Sequence, residues 1–310
     1  MTGLIRTIGG DMPFAEAGPT YVHEHLIIDS PLVAETMPQI HLPSVEEAVT
    51  EVQACVTAGV RTMVDAMPAG SGRSPDRLSR VSILTGVRIV AATGLHTERY
   101  YEDVEWAREE GPDQLAERFM ADIEKGMDLH DYLGDQVDRT ALKAGIVKVA
   151  TMGEELSDRD LRLFEAAAIT HRATGVPVLT HTEGGVGGLA QVKRLHSLGV
   201  APQRIALSHT DKVADHSYHR ALMETGVFLC FDQAIRRPGP TGKLVITMLE
   251  AGFGDQILLG TDGARRTLWS TLGGSPGLAH LLHWSEETFD AGTVQRIMVD
   301  NPARYLSMGS

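Results

Sequence analysis

Short runs of apolar, β-branched residues alternate along this chain with longer stretches in which apolar positions recur every three or four residues. The first pattern suits strands buried on both faces, and the second suits helices that bury one stripe. Eight strands are expected, at 20–28, 60–66, 87–93, 145–150, 176–181, 204–209, 227–231 and 256–261. Helices are expected at 44–58, 76–84, 112–129, 158–174, 189–198, 216–225, 241–251 and 276–282, with a last one at 293–299 before Asn301-Pro302. Boundary signals agree with this reading. Ser44-Val-Glu-Glu47 reads as a capping box, and Ser157-Asp158 opens another helix. Gly59, Gly175, Gly199 and Gly226 each close a helical stretch just before a strand.

Eight strand–helix units in 310 residues, with no low-complexity linker, predict one α/β domain over 1–310, a (β/α)8 TIM barrel. The main rival is an open doubly wound sheet, which carries a glycine-rich phosphate turn after its first strand. Here the first strand leads into His23-Glu-His25 instead.

Composition narrows the function classes. Net charge is −13 with no basic tract, which argues against nucleic acid as a partner. Two isolated cysteines, Cys55 and Cys230, make neither a disulfide framework nor a CxxC metal site, so a reducing, cytoplasmic compartment is expected. The first residues show no apolar signal segment, and no run reaches the roughly 20 apolar residues that span a bilayer. A homodimer is compatible with the pattern.

In a barrel, active-site residues stand at the C-terminal ends of the strands. The polar residues found there are His23 and His25 on the first strand, Lys148 on the fourth, His181 on the fifth, His209 on the sixth and Asp262 after the eighth. His23 and His25 are two apart and share a strand face. One such pair is equally well explained by hydrogen-bonded core histidines. Four histidines and an aspartate converging from four strands are better explained by first-row divalent ions, zinc foremost, with manganese, cobalt or iron as substitutes. Five ligands exceed the three of a single catalytic zinc, so two ions are expected. Lys148, in an apolar strand, either pairs or snorkels as an ordinary amine, or is carboxylated by CO2 into an anionic ligand.

Gly18-Pro-Thr20-Tyr-Val-His23-Glu-His25-Leu26, and the order HxH, Lys, His, His, Asp over five strands, resemble the phosphotriesterase family of the amidohydrolase superfamily. The resemblance runs from Gly18 to Asp300-Asn-Pro-Ala-Arg-Tyr-Leu306. It implies an amidohydrolase-type barrel with a binuclear centre: His23, His25 and Asp262 on the more buried ion, and His181 and His209 on the more exposed one. Carboxylated Lys148 and a hydroxide would bridge them. Two positions depart from the organophosphate-hydrolysing members. Gln233 stands where their proton-relay histidine is expected, and Lys212 where an acid is expected. The stretch Leu258-Leu-Gly-Thr-Asp262-Gly-Ala-Arg265-Arg266, then Trp269 and Gly273-Gly-Ser-Pro-Gly277, resembles the sugar-phosphate lactonase branch. There Arg265 matches an arginine that binds the substrate phosphate, Arg236 or Arg237 stands in for a lysine after strand seven, and Leu268 replaces a tyrosine.

Independently of the resemblance, Arg236, Arg237, Lys243, Arg265 and Arg266 gather in the loops after strands seven and eight, the usual phosphate site of barrels. The expected reaction is opening of a lactone or carboxylic ester of an anionic small molecule, by a metal-bridging hydroxide with Asp262 moving the proton. Hydrolysis of organophosphate esters or N-acyl amides is the alternative. Tyr100 and Tyr101 are candidate substrate-orienting residues, while His96 and His216 read as neighbours or surface residues rather than ligands. The segments 68–74 and 237–242 are candidate exposed lids or contacts.

Overall fold

The structure, a computed structural model, describes residues 3–308. It opens with an antiparallel hairpin, β1 (Leu4–Thr7) and β2 (Gly10–Pro13). Eight parallel strands follow: β3 (Thr20–Glu24), β4 (Thr62–Asp65), β5 (Arg88–Gly94), β6 (Ala144–Thr151), β7 (Val178–Thr182), β8 (Ile205–Ser208), β9 (Phe228–Phe231) and β10 (Ile257–Leu259). Each pairs with the next in chain order. The ring closes where Asp262 N, just past β10, donates to His23 O at 2.9 Å. All eight expected strands are present and the fold is the expected TIM barrel.

Outward side chains such as Val147, Val149 and Leu207 pack on the surrounding helices. Inward ones, including Val22, Val64, Val90, Ile146, Leu179 and Leu258, fill the barrel. The same inner core includes Ile5 and Met12 of the hairpin and Tyr305 and Leu306 near the C-terminus. Tyr305 Oη donates to Val178 O at 2.8 Å, at the first residue of β7, so these segments plug the N-terminal end of the barrel. The hairpin went unread because its strands are only four residues each; its trace was Gly9-Gly10 between two apolar runs.

Helix Asp158–Thr174 has the expected bounds, with a reciprocal cap between Ser157 and Asp160. Helix Val45–Ala58 uses half of its expected box: Ser44 Oγ accepts from Glu47 N, but its hydroxyl donates to Glu46. The helix expected over 112–129 stops at Glu124, ahead of Gly126 at φ +122. The one expected at 276–282 forms later, as His280–Thr288, because Gly277 at φ +89 still belongs to a turn. Asn301-Pro302 does not end the last helix. Ala291–Gln295 passes through a wide turn, Arg296–Asp300, into Asn301–Leu306, where proline sits in the first turn and needs no amide hydrogen.

The 68–74 segment is no exposed lid. Its residues are largely buried, and Asp131 accepts from Gly72 N and Arg73 N at 3.1 Å each. Residues 237–240 are exposed but begin helix Pro238–Glu250. Among the described residues, no helix is long and apolar enough to cross a membrane.

Candidate metal centre

Alternation alone would not turn His23 inward, because Val22 already faces the barrel core. The structure solves this with a bulge. Tyr21 pairs with Met63 but Glu24 pairs with Asp65, three residues of β3 against two of β4. A bulge re-aims the side chains after it. His23 therefore joins His25 over the core, while the Glu24 carboxylate turns sideways to accept from Thr261 N at 2.7 Å.

His25 Nε2 lies 3.6 Å and His23 Nε2 4.0 Å from Asp262 Oδ1. Lys148 Nζ is 3.2 Å from His23 Nε2. His181 Nδ1 and His209 Nε2 face each other at 2.8 Å, and the His23 and His209 rings are 4.9 Å apart. All six residues expected to hold metal thus meet at one point. Two of them sit in left-handed backbone, His209 at φ +68 and Asp262 at φ +46. Such conformations cost on the order of 1–3 kcal/mol each outside glycine, and they persist where the surroundings over-determine them. Here His209 N donates to Asp232 and Asp262 N to His23 O.

The residue that sequence reasoning missed is Asp232. It is fully buried, and its oxygens stand 2.9 Å from both His23 Nδ1 and His209 Nδ1. A carboxylate accepts, so both Nδ1 atoms carry protons, which would leave each Nε2 as the atom to face an ion once one binds. The signal was present: Asp232 directly follows an apolar strand, as the candidate ligands His209 and Asp262 nearly do.

Burial drives the imidazoles toward neutrality. His23 falls well below its usual value, His25 falls to about 4, and His181 falls to about 3 through burial and then His209. Burial also lowers Lys148 to about 8. It opposes ionisation of Asp262 and Asp232, yet His209 foremost, with Arg236 for Asp262 and His23 for both, holds them below the carboxylate range. Neutral nitrogens beside anionic oxygens are what a first-row divalent ion requires, and His25 Nδ1 is a buried nitrogen with no partner. The residues fit metal.

Residues 3–306 match the model of the phosphotriesterase family. The chain belongs to the phosphotriesterase family. Among its relatives is a phospho-furanose lactonase from Mycoplasmopsis agalactiae, 34% identical over 233 residues, which are 74% of this chain and 66% of that one, just under two thirds of the relative's length. Among solved structures, an amidohydrolase from Mycoplasma synoviae superposes with a TM-score of 0.94 at 27% identity, covering 100% of this chain and 93% of that one. A lactonase from Listeria monocytogenes gives 0.89 at 27%, covering 99% and 100%. The protein is a metal-dependent hydrolase of this family.

In this phosphotriesterase-family hydrolase the donors floor a cavity of about 360 Å³. Of the substrate-binding candidates, Arg265 and Tyr100 line it. Tyr101 does not: it is 1% exposed, and its hydroxyl accepts from His96 N at 2.7 Å and donates to Ala69 O at 3.1 Å. Arg236 does not either. Its guanidinium donates to Asp232 O, Thr261 O and Asp262 O, tying the ends of β9 and β10 together. Arg237 is exposed and reaches Lys212 O. Arg266 bonds to His41 O, and Lys243 lies on a separate groove beside Trp284. His96 lines the cavity with its ring 4.8 Å from His181, whereas His216 opens a peripheral helix. The cavity's other cations are Arg99 and Lys212, neither of which the sequence reading assigned to substrate.

Proposed function

We propose that this enzyme opens the ring of a lactone bearing an anionic, phosphorylated-sugar-like group. The observation that carries the reading is one cavity with a metal-fitting donor set on its floor and Arg265 on its rim. The names of the lactonase relatives support it. In the proposal His23, His25 and Asp262 hold one divalent cation, His181 and His209 hold a second, and Lys148, carboxylated by CO2, joins them. When bound, the pair of ions, zinc by preference, supplies Lewis-acid polarisation of the carbonyl and acidifies water.

The chain's own residues do the rest. Asp232 keeps two imidazoles aimed, and Asp262 takes the proton of the attacking water and returns it to the ring oxygen as the acyl–oxygen bond breaks. That oxygen stays tethered to the product, so no distant relay is needed. Gln233, pinned by Nε2 to Asp232 at 2.7 Å and by its amide N to Asp211 at 2.8 Å, is not placed to be one. The deciding assay compares phosphorylated furanose lactones, phosphate-free lactones, aryl phosphotriesters and N-acyl amino acids on metal-loaded enzyme. We expect kcat/KM at least about a hundredfold higher for the phosphorylated lactone than for the triester or amide. A preference for triester or amide overturns the reading.

A further inference from the structure

Of the cations that sequence position assigns to an anion, only Arg265 is presented by the cavity. Arg236, Arg237 and Arg266 spend their guanidinium groups on backbone carbonyls. Arg99, Lys212 and Arg265 line the cavity. Among the described residues, none of these three has an ion-pair partner within 4.0 Å; Arg99 lies over the Tyr100 ring and interacts with its hydroxyl.

Two acids share the lining, and Glu183 lies close enough to Arg99 and Lys212 for both to favour its ionised form. Glu183 bonds His181 Nε2 at 2.9 Å, and Asp262 belongs to the donor set on the floor. The lining therefore holds three cations against two acids, in a chain of net charge −13. Side chains gain nothing from being held together as like charges, so such a concentration points to an anionic ligand.

Their placement is specific. Lys212 follows β8 and Arg265 follows β10, so they flank the end of β9 from either side. Arg99 follows β5, across the barrel from β9. The charge missing from β9, where Arg236 is used as a structural tie, is thus replaced by Lys212 and Arg265 on its two sides, with Arg99 facing them from the opposite wall.

We propose that Lys212 and Arg99 complete, with Arg265, the subsite for the substrate's terminal anion, and that their joint charge selects a phosphoryl group over a carboxylate. A carboxylate offers two oxygens and one charge, enough for a single arginine fork. A phosphoryl monoester offers three oxygens and close to two charges, enough for an arginine, a second arginine and an ammonium. The inference rests on the lactonase reading for its substrate, but the subsite can be tested apart from it.

The test uses full-length, metal-loaded enzyme and the variants Lys212→Met, Arg99→Met, their double, and Lys212→Arg. Substrates are a phosphorylated furanose lactone and the same lactone without phosphate. Each methionine variant should raise KM for the phosphorylated lactone about tenfold or more, with kcat changed less than about threefold. The phosphate-free lactone should respond by less than about threefold, and Lys212→Arg should recover most of the loss. Competitive inhibition by inorganic phosphate should weaken in parallel.

An unchanged KM and unchanged phosphate inhibition in the double variant overturn the subsite while leaving the lactonase reading standing. If wild-type enzyme opens no lactone, that reading fails instead. Phosphate inhibition of whichever ester is cleaved, compared between wild type and double variant, then decides the subsite alone. Both positions lie at the rim and are not fully buried, so a thermal melt matching wild type confirms that the variants are folded.

Discussion

Asp232 reaches two imidazoles from strands far apart in the chain, His23 after the β3 bulge and His209 after β8. Because a carboxylate can only accept, it fixes both tautomers with one group. An asparagine has a single acceptor oxygen, so Asp232→Asn leaves one ring free to rotate or to protonate its other nitrogen. Metal affinity should fall about 10–100-fold, read by metal content after titration with a chelator; unaltered retention would show that the two rings are held by other means. Lys148 is the second residue that decides the centre. Lys148→Met should bind fewer than two ions per chain and keep less than about 1% of kcat, since it removes the group proposed to join them. The six candidate ligands were legible in the sequence because five of them lie near or just past the C-terminal end of an apolar strand and Lys148 is a charge inside one. Asp232 was legible by the same rule but lacked a reason to be chosen, since its partners are defined only in space. Tyr101 and Arg236 were misread because nothing in sequence says whether a polar tip reaches a cavity or a backbone carbonyl.

The elements around the centre are held by close approaches and buried charge. Gly94 ends β5 at φ +100, and a Cβ there would lie 1.9 Å from the carbonyl oxygen of Lys148. Gly94→Ala must push β5 off the strand that carries Lys148, so activity and melting temperature should both drop. Gly86, at φ +76 with nothing within 4 Å, is the control. Its alanine variant pays only backbone strain, about 1 kcal/mol, with activity intact. Equal effects of the two substitutions in a thermal melt and activity assay would refute the close-approach argument. Farther out, the fully buried Arg73 bonds Asp122 at 3.0 Å and Asp131 at 3.1 Å, fastening the 68–74 segment to the helix and loop that carry those acids. Removing one partner of a buried ion pair strands the other, so Arg73→Met should cost about 3–5 kcal/mol in urea unfolding. A loss below about 1 kcal/mol would mean the acids find other partners or become protonated.

At the scale of the molecule, the proposed ligands come from β3, β6, β7 and from the turns after β3, β8 and β10, so binding metal ties most of the ring together. A ligand that binds only the folded chain stabilises it by RT ln(1 + [L]/Kd), about 2.7 kcal/mol at a hundred times Kd. Thorough chelation should therefore lower the melting temperature by several degrees and abolish turnover, and zinc or manganese should restore both. Identical melts with and without chelator, together with undiminished hydrolysis, would contradict a metal centre built from these residues.

Strand number, strand order, most helix positions and the six candidate ligands could be read from the chain because each depends on local periodicity and on the rule that barrel chemistry sits at strand ends. Strand ends were accurate to a few residues, while the N-terminal hairpin, the ends of the helices expected at 112–129 and 276–282, the final helix and the buried 68–74 segment were misjudged. Tertiary structure alone decided which cations line the cavity, that one aspartate aims two histidines, and that a bulge turns His23 inward. These depend on where loops travel and on contacts between segments remote in sequence. A period of two or of three and a half residues carries no information about either.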